Sequence, residues 1–336
     1  MKKLVSIVLT LILAVGMLTG FALAEEPKTY AFVSKQAGNN FHEVVASGFE
    51  EACEAIGAEC IIQHPEDTSA EMQIGVINNL IAQGVDGIAI AANDAEALES
   101  TLENAKAQGI HIVTVDSDTK GSEVFVNQCD SEALGKIFVD SVYELCEGEG
   151  QFAILSATST ATNQNAWIAA MEAYMASDSK FDSLELVATV YGDDELQKSY
   201  DETTSLLTNY PDLKCISAPT CIALQAAVQA VQAAGSSVKC HGLGMPSWMD
   251  GLLGENCPYF HLWNVPQMGS TAAYVLDALV TGETTGAVGE EFTTKNDTTY
   301  TVIESAEDLG IYSTQIIMGD PMLFDETNID EWKVIF

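Results

Sequence analysis

The sequence Ala107-Gln108-Gly109-Ile110-His111-Ile112-Val113-Thr114-Val115 decides the fold class. It repeats the pattern of Ala82-Gln83-Gly84-Val85-Asp86-Gly87-Ile88-Ala89-Ile90, which starts 25 residues earlier (107 − 82). Each stretch contains the end of a helix, a glycine that stops it, and then an apolar strand. Strands that are apolar on both faces are typical of a parallel sheet covered by helices, and the spacing is that of one helix-strand unit.

The same alternation continues along most of the chain and falls into two successive units. Polar turns separate the apolar runs, and Thr68-Ser69-Ala70-Glu71 has the capping-box pattern that opens a helix. We predict strands over residues 29–34, 58–62, 85–90, 110–115, 151–155, Leu184–Tyr191, 215–218, 238–242 and 259–265, and helices over Asn40–Ile56, 165–176, 195–209, 223–234 and 267–280. The pattern therefore predicts an α/β protein with two doubly wound parallel sheets.

The composition excludes several classes of partner. The chain has 336 residues, which suits two domains, and 47% of them are hydrophobic, which is enough for two cores. Its 13 basic residues are all lysines and stand against 49 acidic ones, so the net charge is −36. Such an acidic protein repels phosphate backbones, which excludes nucleic acid as a partner. It also contains no arginine, the residue whose guanidinium group most often binds carboxylate or phosphate through two hydrogen bonds. Because anionic ligands are thus disfavoured, a neutral, hydroxyl-rich ligand is favoured by elimination.

The N-terminus has the pattern of an export signal. Lys2 and Lys3 precede a long apolar run, and the small-residue site Ala22-Leu23-Ala24 follows it. This order predicts a signal peptide over residues 1–24 that is cleaved on export, and hence a periplasmic or otherwise extracytoplasmic protein. A membrane anchor is the alternative, because the run is just long enough to span a bilayer.

The eight cysteines leave the disulfide pattern open. No Cys-x-x-Cys pair occurs, which excludes zinc-ribbon and thioredoxin-type sites. An even number of cysteines in an exported protein permits bridges, but a chain of this size does not need them. We expect mostly buried free thiols. One or two bridges are the alternative, with Cys215–Cys240 as the best pair because both residues open neighbouring predicted strands.

Polar and aromatic residues gather where the predicted strands end. In doubly wound sheets, ligands bind beyond the carboxyl ends of the strands. Amides and carboxylates hydrogen-bond hydroxyl groups, and flat rings can cover the apolar face of a sugar. The candidate ligand-binding residues at these ends are Lys35, Asn40, Phe41, Asn93, Asp116, Asn163, Gln164, Trp167, Pro219, Cys221, Trp263 and Asn264.

Two of these candidates are expected to form an ion pair. Lys35 is the only cation near a strand end in the first unit, and Asp116 directly follows a fully apolar strand. A lysine isolated in a cleft needs a carboxylate partner, so we predict that Lys35 and Asp116 form a pair. Asn93 and Asp94 are less specific, because helix N-caps commonly use both residue types.

Sequence signatures of enzymes are mostly absent. The chain has no nucleotide-binding glycine loop, no Gly-x-Ser-x-Gly elbow and no His-Glu-x-x-His helix. The segment that starts at Asp116 departs from a calcium loop at Lys120 and Asn127. We therefore expect no metal, no cofactor and no catalysis. An exported sugar-processing enzyme that uses Asp94, Asp116 and Asp118 as paired carboxylates is the competing hypothesis.

Several segments together indicate a family. They are Phe32-Val33-Ser34-Lys35, Ile112-Val113-Thr114-Val115-Asp116-Ser117-Asp118, Val126-Asn127-Gln128, Leu262-Trp263-Asn264-Val265 and Phe324-Asp325-Glu326-Thr327-Asn328-Ile329-Asp330. Through them, nearly the whole mature chain resembles the type I periplasmic solute-binding proteins of ABC importers. Within that family it resembles the subgroup that binds rhamnose-like sugars or autoinducer-2.

The resemblance implies two doubly wound lobes joined by a hinge, with the ligand between them. The first lobe would comprise residues 25–128 plus about 266–288, and the second residues 129–265 plus about 289–336. Lys35 and Asp116 would contact the ligand from the first lobe. Gln164, its neighbour Asn163 and the backbone around Pro219 and Cys221 would contact it from the second.

Three positions depart from the autoinducer pattern that this resemblance implies. Asn163 stands where aspartate is usual, Cys221 where alanine is, and Asn264 where aspartate is common. A lost carboxylate changes which hydroxyls can be bound, and this favours a sugar over autoinducer-2.

The resemblance predicts a monomer that captures a deoxyhexose- or pentose-like polyol and delivers it to an ABC import permease. Autoinducer-2 binding for uptake or sensing is one alternative. A receptor-only role, in which bound ligand is presented to a chemoreceptor, is another.

Overall fold

A computed structural model describes residues 27–336 of the protein. The predicted signal segment 1–24 lies outside this range. Strands and helices alternate from the first described strand onward. The first half contains β1 (Thr29–Val33), α1 (Asn40–Ile56), β2 (Glu59–Gln63), α2 (Ala70–Gln83), β3 (Gly87–Ile90), α3 (Glu99–Ala107), β4 (His111–Val115) and β5 (Val124–Asn127).

The middle of the chain continues the alternation and forms a second unit. In order it contains α4 (Ser131–Leu145), β6 (Gly150–Ser156), α5 (Thr162–Ser177), β7 (Leu184–Tyr191), α6 (Leu196–Asn209), β8 (Leu213–Ala218), α7 (Cys221–Ala233), β9 (Lys239–Gly242), α8 (Pro246–Met249) and β10 (Tyr259–Leu262). The C-terminal part contains α9 (Val265–Thr281), β11 (Glu291–Thr293), β12 (Thr299–Thr301), β13 (Thr314–Ile317), β14 (Met322–Asp325) and α10 (Ile329–Trp332).

The first lobe is built on a six-stranded sheet in the order β13-β5-β4-β3-β1-β2, and all its pairings are parallel. Side chains of β1 alternate between two buried layers. Tyr30 and Phe32 pack in the layer that contains α1 and α9. Ala31 and Val33 pack in the opposite layer, which contains α2 and α3. This confirms the predicted parallel sheet with helices on both faces.

The second lobe is built on a four-stranded parallel sheet in the order β7-β6-β8-β9. Helices α4 and α5 pack together, as do α6 and α7. Strand β10 extends this region through a bridge between Leu243 and His261 and pairs with β14 in an antiparallel ribbon. The predicted α/β class with two parallel sheets is therefore confirmed.

The predicted assignment of residues 289–336 to the second lobe is wrong for β13. This strand pairs in parallel with β5, where Ile316 lies opposite Val126, so it belongs to the first sheet. Its two central residues are buried, and in this position they cover the apolar edge of β5. Strand β14 does lie against the second lobe, because Phe324 stacks on Phe260 with ring centroids 5.2 Å apart. We propose the remaining lobe boundaries as the sequence predicts them.

Several element ends differ from the predictions, and side-chain caps explain two of them. The N-cap of α2 is Ser69 rather than Thr68, since the Ser69 side chain accepts a hydrogen bond from Met72 N. The strand predicted to reach residue 265 ends at Leu262. The Asn264 side chain accepts from Gln267 N, so α9 begins directly after it. The predicted helix over residues 165–176 begins three residues earlier, at Thr162.

Glycines let α9 approach α1 closely. A Cβ atom on Gly269 would lie 1.9 Å from Val45 O, and one on Gly48 would lie 2.0 Å from Pro266 O. This contact holds the second and third turns of α1 beside the start of α9. Between residues 27 and 336, no helix has the length and apolarity needed to cross a membrane.

All eight cysteines are free thiols, and each is buried except Cys60, which is partly exposed. This agrees with the expectation of mostly buried thiols. The preferred bridge Cys215–Cys240 is wrong, because both thiols are free and buried. Cys146 is the main cause of the raised pKa of the Cys215 thiol, and the sequence could not indicate that the two are neighbours, since Cys146 directly follows α4, which packs against β8.

Candidate functional site

The carboxyl ends of strands from both sheets face one cavity between the lobes. The cavity has about 390 Å³ of empty space, counting the part that is open to solvent. Its walls combine polar, charged and aromatic side chains. The lining residues are Lys35, Asn39, Phe41, His42 and Asp116 from the first lobe and Gln164, Trp167, Asp194, Pro219, Thr220, Cys221, Ile222, Leu243 and Trp263 from the second.

A buried ion pair forms the polar centre of the first lobe's wall. Lys35 Nζ lies 3.0 Å from Asp116 Oδ2, and both side chains are less than a tenth exposed. Lys35 follows β1 and Asp116 follows β4, so the parallel sheet brings them to the same edge. The predicted pairing of Lys35 with Asp116 is confirmed.

The backbone holds Asp116 in an unusual conformation. Its φ angle is +68°, in the left-handed region that few non-glycine residues adopt. The following carboxylate, Asp118, accepts hydrogen bonds from the backbone N–H groups of Tyr312 and Ser313 at 2.7 and 2.9 Å. Asp118 thus ties the end of β4 to the segment before β13, and it serves a structural role beside the site.

A hydrogen bond crosses from one lobe to the other within this cluster. Lys35 Nζ donates to Asn163 Oδ1 at 3.3 Å. Asn163 and Gln164 lie in the first turn of α5, and Gln164 Nε2 reaches Pro219 O at 3.4 Å. The first turn of α5 therefore places two amide side chains against the charged pair.

Three side chains that line the cavity have a buried polar atom without a hydrogen-bond partner in the described part of the chain. They are His42 Nδ1, Gln164 Oε1 and Trp263 Nε1, and Asn163 Nδ2 beside the cavity is in the same state. An unsatisfied buried polar atom costs about 1–3 kcal/mol. Hydroxyl groups both donate and accept, so they have the right chemistry to pair with the three atoms of the residues that line the cavity.

Aromatic rings supply the apolar part of the walls. Trp167 and Trp263 lie with ring centroids 5.9 Å apart at an interplanar angle of 58°. Phe41 lines the same cavity from the start of α1 and packs edge-to-face against His42. A pocket with apolar walls and a few placed polar groups is typical of sites for small ligands.

Burial shifts the pKa values of two groups that line the cavity. Loss of solvent lowers the pKa of His42 to about 4, so its imidazole is neutral at neutral pH. The same cause raises the pKa of Asp194, while its hydrogen bond from Thr220 and the nearby charge of Lys35 act in the opposite direction.

The structure brings nine of the twelve predicted site residues to the cavity or the charged pair. Eight line the cavity, namely Lys35, Phe41, Asp116, Gln164, Trp167, Pro219, Cys221 and Trp263. The ninth, Asn163, accepts the hydrogen bond from Lys35. Their contact with a ligand remains a prediction.

Three predicted site residues lie elsewhere. Asn40 is exposed on α1, and its neighbour Asn39 lines the cavity and caps the helix. Asn264 caps α9 and does not line the cavity. Asn93 lines a smaller adjacent gap and donates from Nδ2 to Lys35 O at 2.9 Å, so it positions the lysine backbone.

Several residues that line the cavity are not among the predicted site residues. Asp194 is the most important, since it follows β7 and the rule of strand ends applies to it as well. Asn39, His42 and Thr220 are adjacent to predicted site residues. Ile222 and Leu243 carry no sequence signal, because apolar residues next to strands are equally expected in the core.

Among residues 27–336, no group of three or more histidine, cysteine, aspartate or glutamate side chains could hold a metal ion. The cavity is instead a site with one cation, two carboxyl groups, amides and rings. Its chemistry suits the recognition of hydroxyl groups.

The sequence from residue 30 to residue 284 matches the family model described as "Periplasmic binding protein domain". The chain belongs to this family. Two curated relatives match over part of their length. The ribose import binding protein RbsB of Bacillus subtilis is 30% identical over 37% of this chain and 44% of its own. A D-ribose/D-allose-binding protein of Pseudomonas aeruginosa is 25% identical over 51% and 54%. The chain thus spans about half the length of the curated relatives it matches.

Solved structures of periplasmic binding proteins match over almost the whole chain. An ABC transporter solute-binding protein from Clostridium phytofermentas with bound L-rhamnose is 42% identical, with a TM-score of 0.88, over 92% of this chain and 99% of its own. A sugar ABC transporter protein from Actinomyces odontolyticus is 35% identical, with a TM-score of 0.72, over 91% and 97%. LsrB from Clostridium saccharobutylicum in complex with AI-2 is 24% identical, with a TM-score of 0.83, over 90% and 99%, and shares the fold.

Proposed function

We propose that this periplasmic binding protein captures a single neutral sugar of the deoxyhexose or pentose type between its lobes and delivers it to an ABC import permease. The observation that carries the proposal is the hydrogen bond from Lys35 to Asn163 at 3.3 Å, because it makes one polar cluster from groups of both lobes. A ligand that touches this cluster contacts both lobes at once and so stabilises the closed arrangement.

The unsatisfied polar atoms support a ligand rich in hydroxyl groups. His42, Gln164 and Trp263 supply them around one cavity. Ring hydroxyls can pair with each of these atoms, and the faces of Trp167 and Trp263 can cover carbon atoms of the ring. The solute-binding protein with bound L-rhamnose is the most similar of the structures compared above, which supports a deoxyhexose.

The charges of the site support a neutral ligand over an anionic one. Lys35 is the one cation that lines the cavity in the described chain, and Asp116 already pairs with it. The chain has no arginine and a net charge of −36, so a sugar phosphate would be repelled. The cavity is small, about 390 Å³ even when the part open to solvent is counted, and this favours one ring over an oligosaccharide.

The partner and the location follow from the family. Periplasmic binding proteins of importers work outside the cytoplasm and pass their ligand to a permease, which supports extracytoplasmic localisation after cleavage of segment 1–24. We also propose that the protein is a carrier without catalytic activity and that it acts as a monomer. Presentation of the ligand to a chemoreceptor remains compatible with the same closed form.

A ligand panel tests the proposal. Native mass spectrometry of the purified protein would identify any ligand that copurifies with it. Thermal unfolding would then be followed with L-rhamnose, D-ribose, D-arabinose, D-fucose and autoinducer-2. A true ligand at 100 times its dissociation constant stabilises the protein by about 2.7 kcal/mol. We expect one of the sugars to do this, and stabilisation by none of them would contradict the proposal.

Two controls test the charge preference of the site and the absence of catalysis. L-rhamnose 1-phosphate keeps the pyranose ring of L-rhamnose and adds negative charge, and we expect it not to bind. Recovery of the bound sugar after incubation separates a carrier from an enzyme. Unchanged sugar supports the carrier, and a product of altered mass would support the competing enzyme.

A further inference from the structure

A carboxyl group outside the predicted site faces the same cavity from the second lobe. Asp194 lies two residues after the Gly192 that follows β7, and it lines the cavity between the lobes. It also lines the smaller adjacent gap, and Lys35 is the other charged residue that lines both. Asp194 and Lys35 therefore approach each other across the boundary between the lobes.

A left-handed turn after β7, held by backbone hydrogen bonds, places Asp194 at the cavity. Both Asp193 and Asp194 have left-handed φ angles, of +53° and +54°. The turn is held by hydrogen bonds from Gly192 N to Ser156 O at 2.9 Å and from Asp193 N to Ala157 O at 3.2 Å. Gly192 is required there, because a Cβ atom would lie 2.0 Å from Ser199 Oγ. Non-glycine residues in this conformation cluster at functional sites, where the surrounding structure holds the strain.

The side chain leaves part of its hydrogen-bonding capacity free. Asp194 Oδ1 accepts a hydrogen bond from Thr220 Oγ1 at 2.6 Å, and in residues 27–336 its side chain makes no other hydrogen bond. An ionised carboxylate can accept about four hydrogen bonds. The other side chains of the second lobe in this cluster, Asn163 and Gln164, are amides, which both donate and accept. In its ionised form Asp194 offers the acceptor-only group on that side.

We infer that Asp194 is a ligand-binding carboxylate which, together with Asp116 on the opposite lobe, selects a sugar that presents hydroxyl donors to both lobes. This inference rests on the proposed function and names what the sugar must present. Two carboxylates repel each other, and Lys35 between them reduces that repulsion. Hydroxyl groups of a bound sugar donate to both, so the ligand further offsets it. A sugar that lacks the hydroxyl facing Asp194 loses this contact.

The chain offers a matched control next to Asp194. Asp193 has the same backbone conformation, but its carboxylate pairs with Lys198 and does not line the cavity. Asparagine tolerates left-handed φ angles and has the shape of aspartate. The variants Asp194→Asn and Asp193→Asn therefore remove one carboxylate each at equal cost in the turn. Asp194→Gly is a second variant, because glycine adopts the left-handed φ angle without strain.

Calorimetry with monodeoxy analogues tests the inference. The dissociation constants of wild type and variants would be measured for the sugar that wild type binds best in the panel above, and for analogues that each lack one hydroxyl. We expect Asp194→Asn and Asp194→Gly to weaken binding of the parent sugar about tenfold, and Asp193→Asn to leave it unchanged. One analogue should bind wild type about tenfold more weakly than the parent sugar does, and the Asp194 variants should no longer discriminate against it.

The outcomes separate this inference from the proposed function. If wild type binds a sugar and the Asp194 variants discriminate among the analogues as wild type does, the inference is wrong and the proposed function stands. A uniform loss of affinity for the parent and every analogue would assign Asp194 a purely structural role and also overturn the inference. If wild type binds no sugar, both proposals fail together.

Discussion

Lys35 Nζ donates a hydrogen bond to Asn163 Oδ1 at 3.3 Å, and this contact joins the end of β1 in the first lobe to the first turn of α5 in the second. The same ammonium group lies 3.0 Å from Asp116 Oδ2. One lysine thus links the strand ends of the first sheet to the helix that covers the second. The account of ligand capture depends on this arrangement.

Loss of either member of the ion pair should weaken ligand binding. We expect Lys35→Met and Asp116→Asn each to weaken binding of the panel sugar more than tenfold, or about 1.4 kcal/mol. Asparagine is chosen at position 116 because it tolerates the φ angle of +68°. Calorimetry measures the effect, and Asn40→Ala serves as the control because Asn40 is exposed next to the cavity. Wild-type affinity in both variants would reject the site.

Each single variant of the ion pair should be less stable than the double variant. Removal of one partner of a buried ion pair leaves an uncompensated charge and costs about 3–5 kcal/mol. We expect the double variant Lys35→Met/Asp116→Asn to unfold at a higher denaturant concentration than either single variant. It should still bind the sugar poorly, which would separate the loss of binding from the loss of stability.

Gln164 should matter for the ligand more than for the fold. Its Oε1 atom is buried without a partner in the part of the chain that the structure describes, and its one hydrogen bond there is a long contact to Pro219 O at 3.4 Å. Replacement by leucine removes the unsatisfied atom at similar volume. We expect Gln164→Leu to keep or raise the unfolding temperature without sugar and to weaken binding about tenfold. Asn165→Leu, at an exposed neighbouring position, is the control. Equal affinities in the three proteins would remove Gln164 from the site.

Buried histidines should make the free energy of unfolding depend on pH. Burial lowers the pKa of His42 to about 4, of His261 to about 4 and of His241 to about 3. Between these values and the ordinary pKa of about 6.5 the unfolded state binds more protons. The stability that these neutral histidines contribute is therefore complete above pH 6.5 and is lost as the pH falls toward 4.

A single substitution isolates one of these histidines. Neither ring nitrogen of His241 has a hydrogen-bond partner among residues 27–336, so His241→Leu removes two unsatisfied atoms and keeps a similar volume. We expect denaturant titrations of this variant to show a smaller loss of stability between pH 6.5 and 4 than wild type shows. The raised pKa values of Asp118 and Asp194 act in the opposite direction and are common to both proteins. Parallel pH profiles would contradict the assignment.

Thiol reactivity should follow burial. Cys60 is the one cysteine of the described chain that is partly exposed, and its hydrogen bond with Cys53 lowers the pKa of its thiol. We expect a thiol-alkylating reagent to label Cys60 first in the native protein, as read by peptide mass spectrometry. In denaturant without reductant, all eight thiols should react. Labelling of fewer than eight that reductant restores would show a disulfide and contradict the structure.

The sequence predicted the fold well wherever the signal was local. The apolar runs of β3 and β4, each preceded by a glycine stop, indicated a covered parallel sheet, and the structure has it. Lys35 and Asp116 could be paired from sequence because an isolated lysine requires a carboxylate. Contacts over long sequence distances carried no such signal. β13 joins β5 across about 190 positions (314 − 124), and no local pattern in Thr314–Ile317 indicates which sheet it extends.

Within the site, the errors concern single positions. Asn39 and Asn40 are adjacent amides, and only the exact start of α1 decides that Asn39 faces the cavity. Asn264 has the residue type of a ligand contact and the position of a helix cap, and its hydrogen bond from Gln267 N shows that it is a cap. Asp194 follows β7 much as Asp116 follows β4, so the rule of strand ends indicates both residues equally.

Closure of the two lobes on a sugar is the central claim, and small-angle X-ray scattering tests it most directly. The radius of gyration would be measured without ligand and at a saturating concentration of the panel sugar for which calorimetry shows binding. Because only the closed form makes the contacts of both lobes, we predict a smaller radius with the sugar, and no such decrease in the Lys35→Met/Asp116→Asn variant at the same concentration. A wild-type radius that stays the same while calorimetry shows saturation would contradict the account.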